Sequence, residues 1–280
     1  MRLGISLPSR LPDGGAPTIA QIMRRAQLIE RLGFDGIWVG DSVGRANWPV
    51  PDPLAWLTAA AAATTRIELG TAVIQVPLRH PVELAQRLMS LDALSGGRFA
   101  AGLGSGSTLA DFEAVGVPYD QRFHILAEAL PLIRRLCGGE RVGAAQLTPW
   151  PDRTGGPPIL VGSWHSGVWV RRAASQYDGW IASGFFTTFR QLRDGIQRFR
   201  DAGGSRALVA TITVNLDAPS TPFDADSRFS LECGPAEAAE RLQRLSELGY
   251  DDALLARANH SSADLPEAAL SAIRALLPRA

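Results

Sequence analysis

The chain alternates between short apolar runs and segments with helical spacing of apolar residues. The runs at 3–8, 36–41, 67–74, 98–104, 158–162, 178–183, 207–216 and 251–257 read as strands. They lack polar alternation, the mark of strands buried on both faces. Helices are predicted at 18–32, 53–64, 81–94, 121–137, 166–176, 188–202, 235–248 and 265–277, each following one strand. Eight β-then-α units predict a (β/α)8 barrel in one domain over residues 1–280; a doubly wound sheet usually has fewer strands at this length. The longest connections are 105–120, 138–157 and 217–234. The first and third follow strands and so belong to the C-terminal face, where barrels build their sites.

At that face the strands deliver mostly small polar residues and glycine. Pro8 and Ser9 follow the first strand, and Asp41 and Ser42 the second. Thr71–Gln75 lie at the third, Gly104–Ser107 at the fourth, and Gly162, Ser163, Trp164 and His165 at the fifth. Ser183 and Gly184, Asn215, and Arg257, Asn259 and His260 complete the rim. There is no carboxylate pair of the glycosidase kind and no metal-ligand spacing. Asp41, Ser163 and His165 do not make a serine-hydrolase set, because no G-x-S-x-G elbow accompanies them. The stretch "LSGGRFAAGLGSGS" (94–107) spaces its glycines G-x-G-x-G, which fails the dinucleotide fingerprint at the last glycine. Gly/Ser strand ends instead admit a phosphate to backbone N–H groups, and "VGSWHSG" (161–167) runs straight into a helix N-terminus. A barrel handling a phosphorylated metabolite without redox chemistry satisfies that rim as well.

Composition narrows the chemistry. Formal charge is +0, which argues against nucleic acid or an anionic membrane as partner. All 28 basic residues are Arg, so Schiff-base and P-loop lysine chemistry is excluded. Cys137 and Cys233 stand far apart and suggest neither a disulfide scaffold nor zinc. No run has membrane-span length, and a cytoplasmic protein is expected.

Three blocks carry a resemblance: "GFDGIWVGD" (33–41), "RIELGTAVIQVPLRHPVELAQRLMSLDALSGGRFAAGLGSG" (66–106) and "PPILVGSWHSGVWVRRAASQYDGWIASG" (157–184). The chain resembles the luciferase-like monooxygenase superfamily, a group of (β/α)8 barrels. The resemblance implies reduced FMN, supplied by a separate flavin reductase and used with O2 on a small organic substrate. Its alternative is hydride transfer with coenzyme F420, which carries an acidic tail; Arg10, Arg45 and Arg257 are candidates for a basic rim. A flavin-binding homologue without catalysis is a further alternative.

The resemblance also implies a non-prolyl cis peptide at Ala72–Val73. Cofactor contacts are expected from Asp41, Thr71, Ala72, Val73, Gly104, Ser105, Gly106, Gly162, Ser163, Trp164 and Ser183. Asp41 and His165 are the candidates for catalysis. Ser42 stands where many family members have His, so no family role transfers to it. Arg79 and His80 are expected to be structural, and Arg122 to form a structural salt bridge or to clamp a loop or a cofactor tail. His124 is read as surface or packing, Trp38 and Trp56 as core or subunit contacts, and a homodimer is expected.

Overall fold

The computed structural model describes residues 1–7, 15–44, 50–165, 167–257 and 265–277. Pro8, Ser9, Arg10, Arg45, Asn259 and His260 lie outside them, and the side chain of Arg257 is likewise not described. In chain order, β1 (Arg2–Ser6) leads to α1 (Ile19–Leu32), β2 (Gly36–Val39) to α2 (Pro53–Ala63), and β3 (Glu68–Thr71) with β4 (Ile74–Gln75) to α3 (Pro81–Leu94). β5 (Phe99–Gly104) is followed by α4 (Leu109–Val115) and α5 (Arg122–Cys137), β6 (Ile159–Gly162) by α6 (Val168–Gln176), and β7 (Gly179–Ser183) by α7 (Phe189–Asp201). β8 (Ala207–Asn215), β9 (Leu231–Glu232), α8 (Pro235–Glu247), β10 (Asp252–Arg257) and α9 (Glu267–Arg274) complete the order.

All strand pairings are parallel, and the sheet closes where β10 pairs with both β8 and β1. The result is an eight-stranded (β/α)8 barrel, as the alternation predicts, with β4 continuing the third strand position and β9 added against β8. Local sequence sets the helix ends. Thr18 and Thr188 each form a reciprocal capping box with a Gln three residues on. Gly33 ends α1 in the left-handed conformation.

Two expectations are corrected. The third strand does not run through 67–74. It breaks between β3 and β4 at Ala72–Val73, whose peptide is cis. The 105–120 connection is not plain loop, since α4 lies within it.

Two packed regions hold the barrel. The larger one joins the outward strand faces to the helices. The smaller fills the barrel interior with Trp38, Ala100, Leu160, Ile181, Leu208, Ala210 and Leu254. Trp38 is 1% exposed. A Cβ on Gly4, Gly36 or Gly70 would run into its indole, so those glycines make the space it occupies. Trp38 is therefore core, and it closes the barrel as a floor. Below it, at the N-terminal strand ends, Arg206 donates to both oxygens of Glu68 (2.7 and 2.8 Å) and of Asp252 (both 3.0 Å). Arg2 adds a bond to Glu68 at 2.6 Å.

Candidate active site

Above the Trp38 floor, a cavity of about 810 Å³ opens at the C-terminal strand ends. That volume falls in the range of small-molecule and cofactor sites. Val73 shapes one wall: a Cβ on Gly104 or Gly162 would lie 2.7 Å from its side chain, so the two glycines let it settle across β5 and β6. Beyond β5, Gly106 takes φ +75°, and a Cβ there would collide with Gln75 Oε1. Among the described residues, no acceptor takes the backbone N–H groups of Gly106 and Ser107, both at the cavity. Across the mouth, Gly167 and Val168 bring the start of α6 to the rim.

Two carboxylates stand beside the cavity, and both are committed to structure. Asp41 accepts from Arg79 through both oxygens (2.6 and 2.8 Å) and from the Gln75 N–H at 2.9 Å. Its side chain is 2% exposed. Asp111, from α4, is fully buried. It accepts from Ser42 Oγ (2.8 Å), the N–H groups of Val43 (3.0 Å) and Gly44 (2.6 Å), and Gln75 Nε2 (2.6 Å). Burial alone would raise its pKa. The hydrogen bonds from Gln75, Gly44, Ser42 and Val43 outweigh burial and hold the carboxyl below its ordinary value. Asp111 thus ties the loop after β2 to β4. The carboxylate also fixes which end of the Gln75 amide donates. Gln75 Oε1 is left buried without a partner among the described residues.

Aromatic residues form the rim. Trp164 and Phe186 are 55% and 58% exposed, and their rings lie 6.0 Å apart. The Arg122 guanidinium sits 3.9 Å over the Tyr119 ring and donates to the Tyr119 carbonyl at 2.8 Å. It has no carboxylate partner among the described residues.

A family model described as luciferase-like monooxygenase matches residues 1–220. The chain belongs to that family. Among curated relatives, it is 34% identical over 164 residues to 4-hydroxyprotoasukamycin monooxygenase of Streptomyces nodosus subsp. asukaensis, covering 54% of this chain and 43% of the relative. It is 38% identical over 225 residues to an F420-dependent glucose-6-phosphate dehydrogenase of Kineococcus radiotolerans, covering 72% of this chain and 64% of the relative. The chain spans less than two thirds of the length of either. In fold it is similar to monooxygenase RslO1 from Streptomyces bottropensis, with TM-score 0.79 and 22% identity over 99% of this chain and 97% of that one.

For a luciferase-like chain, most of the expected site residues converge. Asp41, Ala72, Val73, Gly104, Ser105, Gly106, Gly162, Ser163, Trp164 and Ser183 all line the cavity. Two expected residues do not. Thr71 is fully buried in the barrel wall and donates to the Gly102 carbonyl at 2.8 Å. His165 is not part of the cavity lining: its Cα and Cβ lie against Gly195 of α7, and its carbonyl accepts from Arg198. Burial first, then the Arg198 charge, lowers the His165 pKa. His80 precedes α3 without a side-chain capping bond. Arg79 is structural, through Asp41. His124 is exposed and lies 3.2 Å from Glu128, and Trp56 packs part-buried on the outer core.

Residues that sequence reasoning passed over are Asp111, Arg25 of α1 and Thr211 of β8; Gln75 was placed on the rim but given no role. Arg25, Thr211 and Gln75 line the cavity. Among the described residues, none of the helices is long and apolar enough to cross a membrane, and no three His, Cys, Asp or Glu side chains group as metal ligands.

Proposed function

We propose that the protein is a flavin-dependent monooxygenase that binds reduced FMN in this cavity and uses O2 on a small organic substrate. One observation carries the reading. The cavity presents glycine, hydroxyl and apolar walls, while both adjacent carboxylates are locked in structural bonds and His165 is not part of its lining. Side chains so arranged hold and shield a reactive group rather than supply a nucleophile or a general acid. The donors fit such a group: the N–H groups of Gly106 and Ser107, without an acceptor among the described residues, and the start of α6, where the helix dipole favours a phosphate. Bound there, reduced FMN would supply the electrons for oxygenation.

The protein's own tasks follow from the geometry. Val73, with the Gly104–Gly106 backbone, would hold the ring, and Gly162, Ser163 and the first turn of α6 would hold the phosphate. Trp164 and Phe186 cover the mouth and keep water out while an apolar substrate sits beneath them. Asp41 is a positioning residue, since it holds Arg79 and the backbone of β4 in place. A separate reductase would deliver the flavin.

A second reading, F420-dependent hydride transfer, is favoured by Arg122. Its rim guanidinium without a carboxylate partner suits an acidic tail, and the Kineococcus relative carries that activity in its name. Titration of the protein with FMN and with F420, followed by cofactor and Trp fluorescence, tests both. FMN binding with O2 uptake by the reduced complex is the expected result; F420 binding alone moves the assignment to hydride transfer. Failure of both to bind below about 1 mM overturns the redox reading.

A further inference from the structure

The β8 wall of the cavity departs from regular strand geometry at one residue. β8 and β10 pair Val209 with Ala253 and Ile212 with Leu255, so Ala210 and Thr211 together face the single residue Leu254. This is a β-bulge. Thr211 takes φ +61°, and among the described residues no other non-glycine has a positive φ. A β-branched residue in that region is a true outlier, and such conformations persist where the surroundings impose them, often at ligand sites.

The bulge changes what the cavity meets. Strict alternation from Ala210 would turn Thr211 outward and bring Ile212 inward. Instead Ala210 and Thr211 both line the cavity, and Ile212 stays buried in the outer core. The extra residue thus places a hydroxyl on the wall. That hydroxyl has no partner among the described residues, whereas several other hydroxyls of the barrel wall are engaged. Ser163 Oγ accepts from Trp180 Nε1 at 3.0 Å, Ser183 Oγ accepts from the Phe186 N–H at 3.3 Å, and Thr71 donates to Gly102. Around the closed barrel, β8 is four strand positions from β3–β4 in either direction. Thr211 therefore stands on the wall opposite Val73.

We propose that Thr211 is a positioning residue for the cofactor ring, its hydroxyl bonding the ring's polar carbonyl and N–H edge from the wall facing Val73. This rests on the proposed redox function. Thr211 and Val73 line the same cavity from facing walls; a ring held between them would bury a polar edge, a buried polar edge requires a partner, and Thr211 would offer one.

The test is the affinity of four proteins for FMN and for F420, read by fluorescence titration. Thr211→Val keeps the β-branch and removes the hydroxyl; it should weaken binding about five- to tenfold. Thr211→Ser should bind as the wild type does. Thr211→Gly suits φ +61° and should unfold at an equal or higher urea concentration, yet bind as weakly as Thr211→Val. Unchanged affinity in Thr211→Val, or equal losses in the Ser and Val variants, overturns the assignment. Wild-type protein that binds neither cofactor overturns the redox reading instead.

Discussion

The two ends of the barrel use polar groups in opposite ways. At the bottom Arg2, Arg206, Glu68 and Asp252 are matched to one another. Burial works against the charge on Arg206, but its bonds to Glu68 and Asp252 outweigh it and hold the guanidinium firmly protonated. Burial also presses on Glu68, and the bonds and charges of Arg206 and Arg2 overcome it, so its pKa falls. At Asp252 burial wins, and the pKa rises. At the mouth, carboxylates tie loops together, while among the described residues Gln75 Oε1, Thr211 Oγ1 and the Gly106 N–H have no partner. Saturation at one end and unmet capacity at the other separate a part that holds the fold from a part shaped for a ligand.

The comparison breaks most visibly at Arg206. Arg206→Ala leaves two carboxylates without their main partner and should cost about 3–5 kcal/mol in urea unfolding. FMN affinity of the folded fraction should not move; a parallel loss of affinity would mean that the two ends are not independent. Asp111→Asn comes next, at about 2 kcal/mol, because a charged acceptor of four donors is lost. Unlike Arg206→Ala, it should also weaken cofactor binding, since the 42–44 loop and Gln75 share that anchor.

Acid sharpens the contrast. Asp111 and Glu68 have lowered folded pKa values, so their stabilisation is complete above the unfolded values of about 3.9 and 4.3 and disappears as pH falls through the folded ones. Asp252, raised on folding, contributes in the reverse sense: its stabilisation is present below the unfolded pKa and lost as pH rises through the folded one. The bottom pair therefore partly cancels, and the mouth does not. Urea midpoints measured from pH 6 down to pH 2.5 should fall less steeply in Asp111→Asn than in the wild type.

Gly106→Val sets a β-branched side chain against Gln75 at φ +75° and should weaken FMN or F420 binding at least about tenfold, with a stability loss of about 1–3 kcal/mol. Unchanged affinity with the fold intact would place the ligand elsewhere. The smallest effect belongs to His165→Gln, which should leave affinity within about twofold, as expected of a side chain outside the cavity.

How far the sequence foretold this depends on the range of each interaction. The barrel order was legible because parallel strands buried on both faces leave continuous apolar runs such as Phe99–Leu103. The glycine loops at 104–106 and 162 were legible for a related reason, since backbone approach demands small residues. Asp111 was not. Its surroundings, "LADFEAV", read as an ordinary short helix, and its partners lie 36 to 69 residues away. The Thr211 bulge escaped because period-two alternation carries no mark of a one-residue slip. His165 was misplaced because a loop's composition does not say which way each side chain turns. Asp41 was found, but its pairing with Arg79 required coordinates.

Trp38 has a consequence for kinetics. With its indole across the barrel and ion pairs at the far end, the chamber formed by the described residues opens at the C-terminal strand ends. Whatever lies deepest must arrive first and leave last. On the proposed function, a cofactor and a substrate entering by that opening would bind in sequence, and steady-state measurements should then show compulsory order, with release of the outer molecule gating exchange of the inner one.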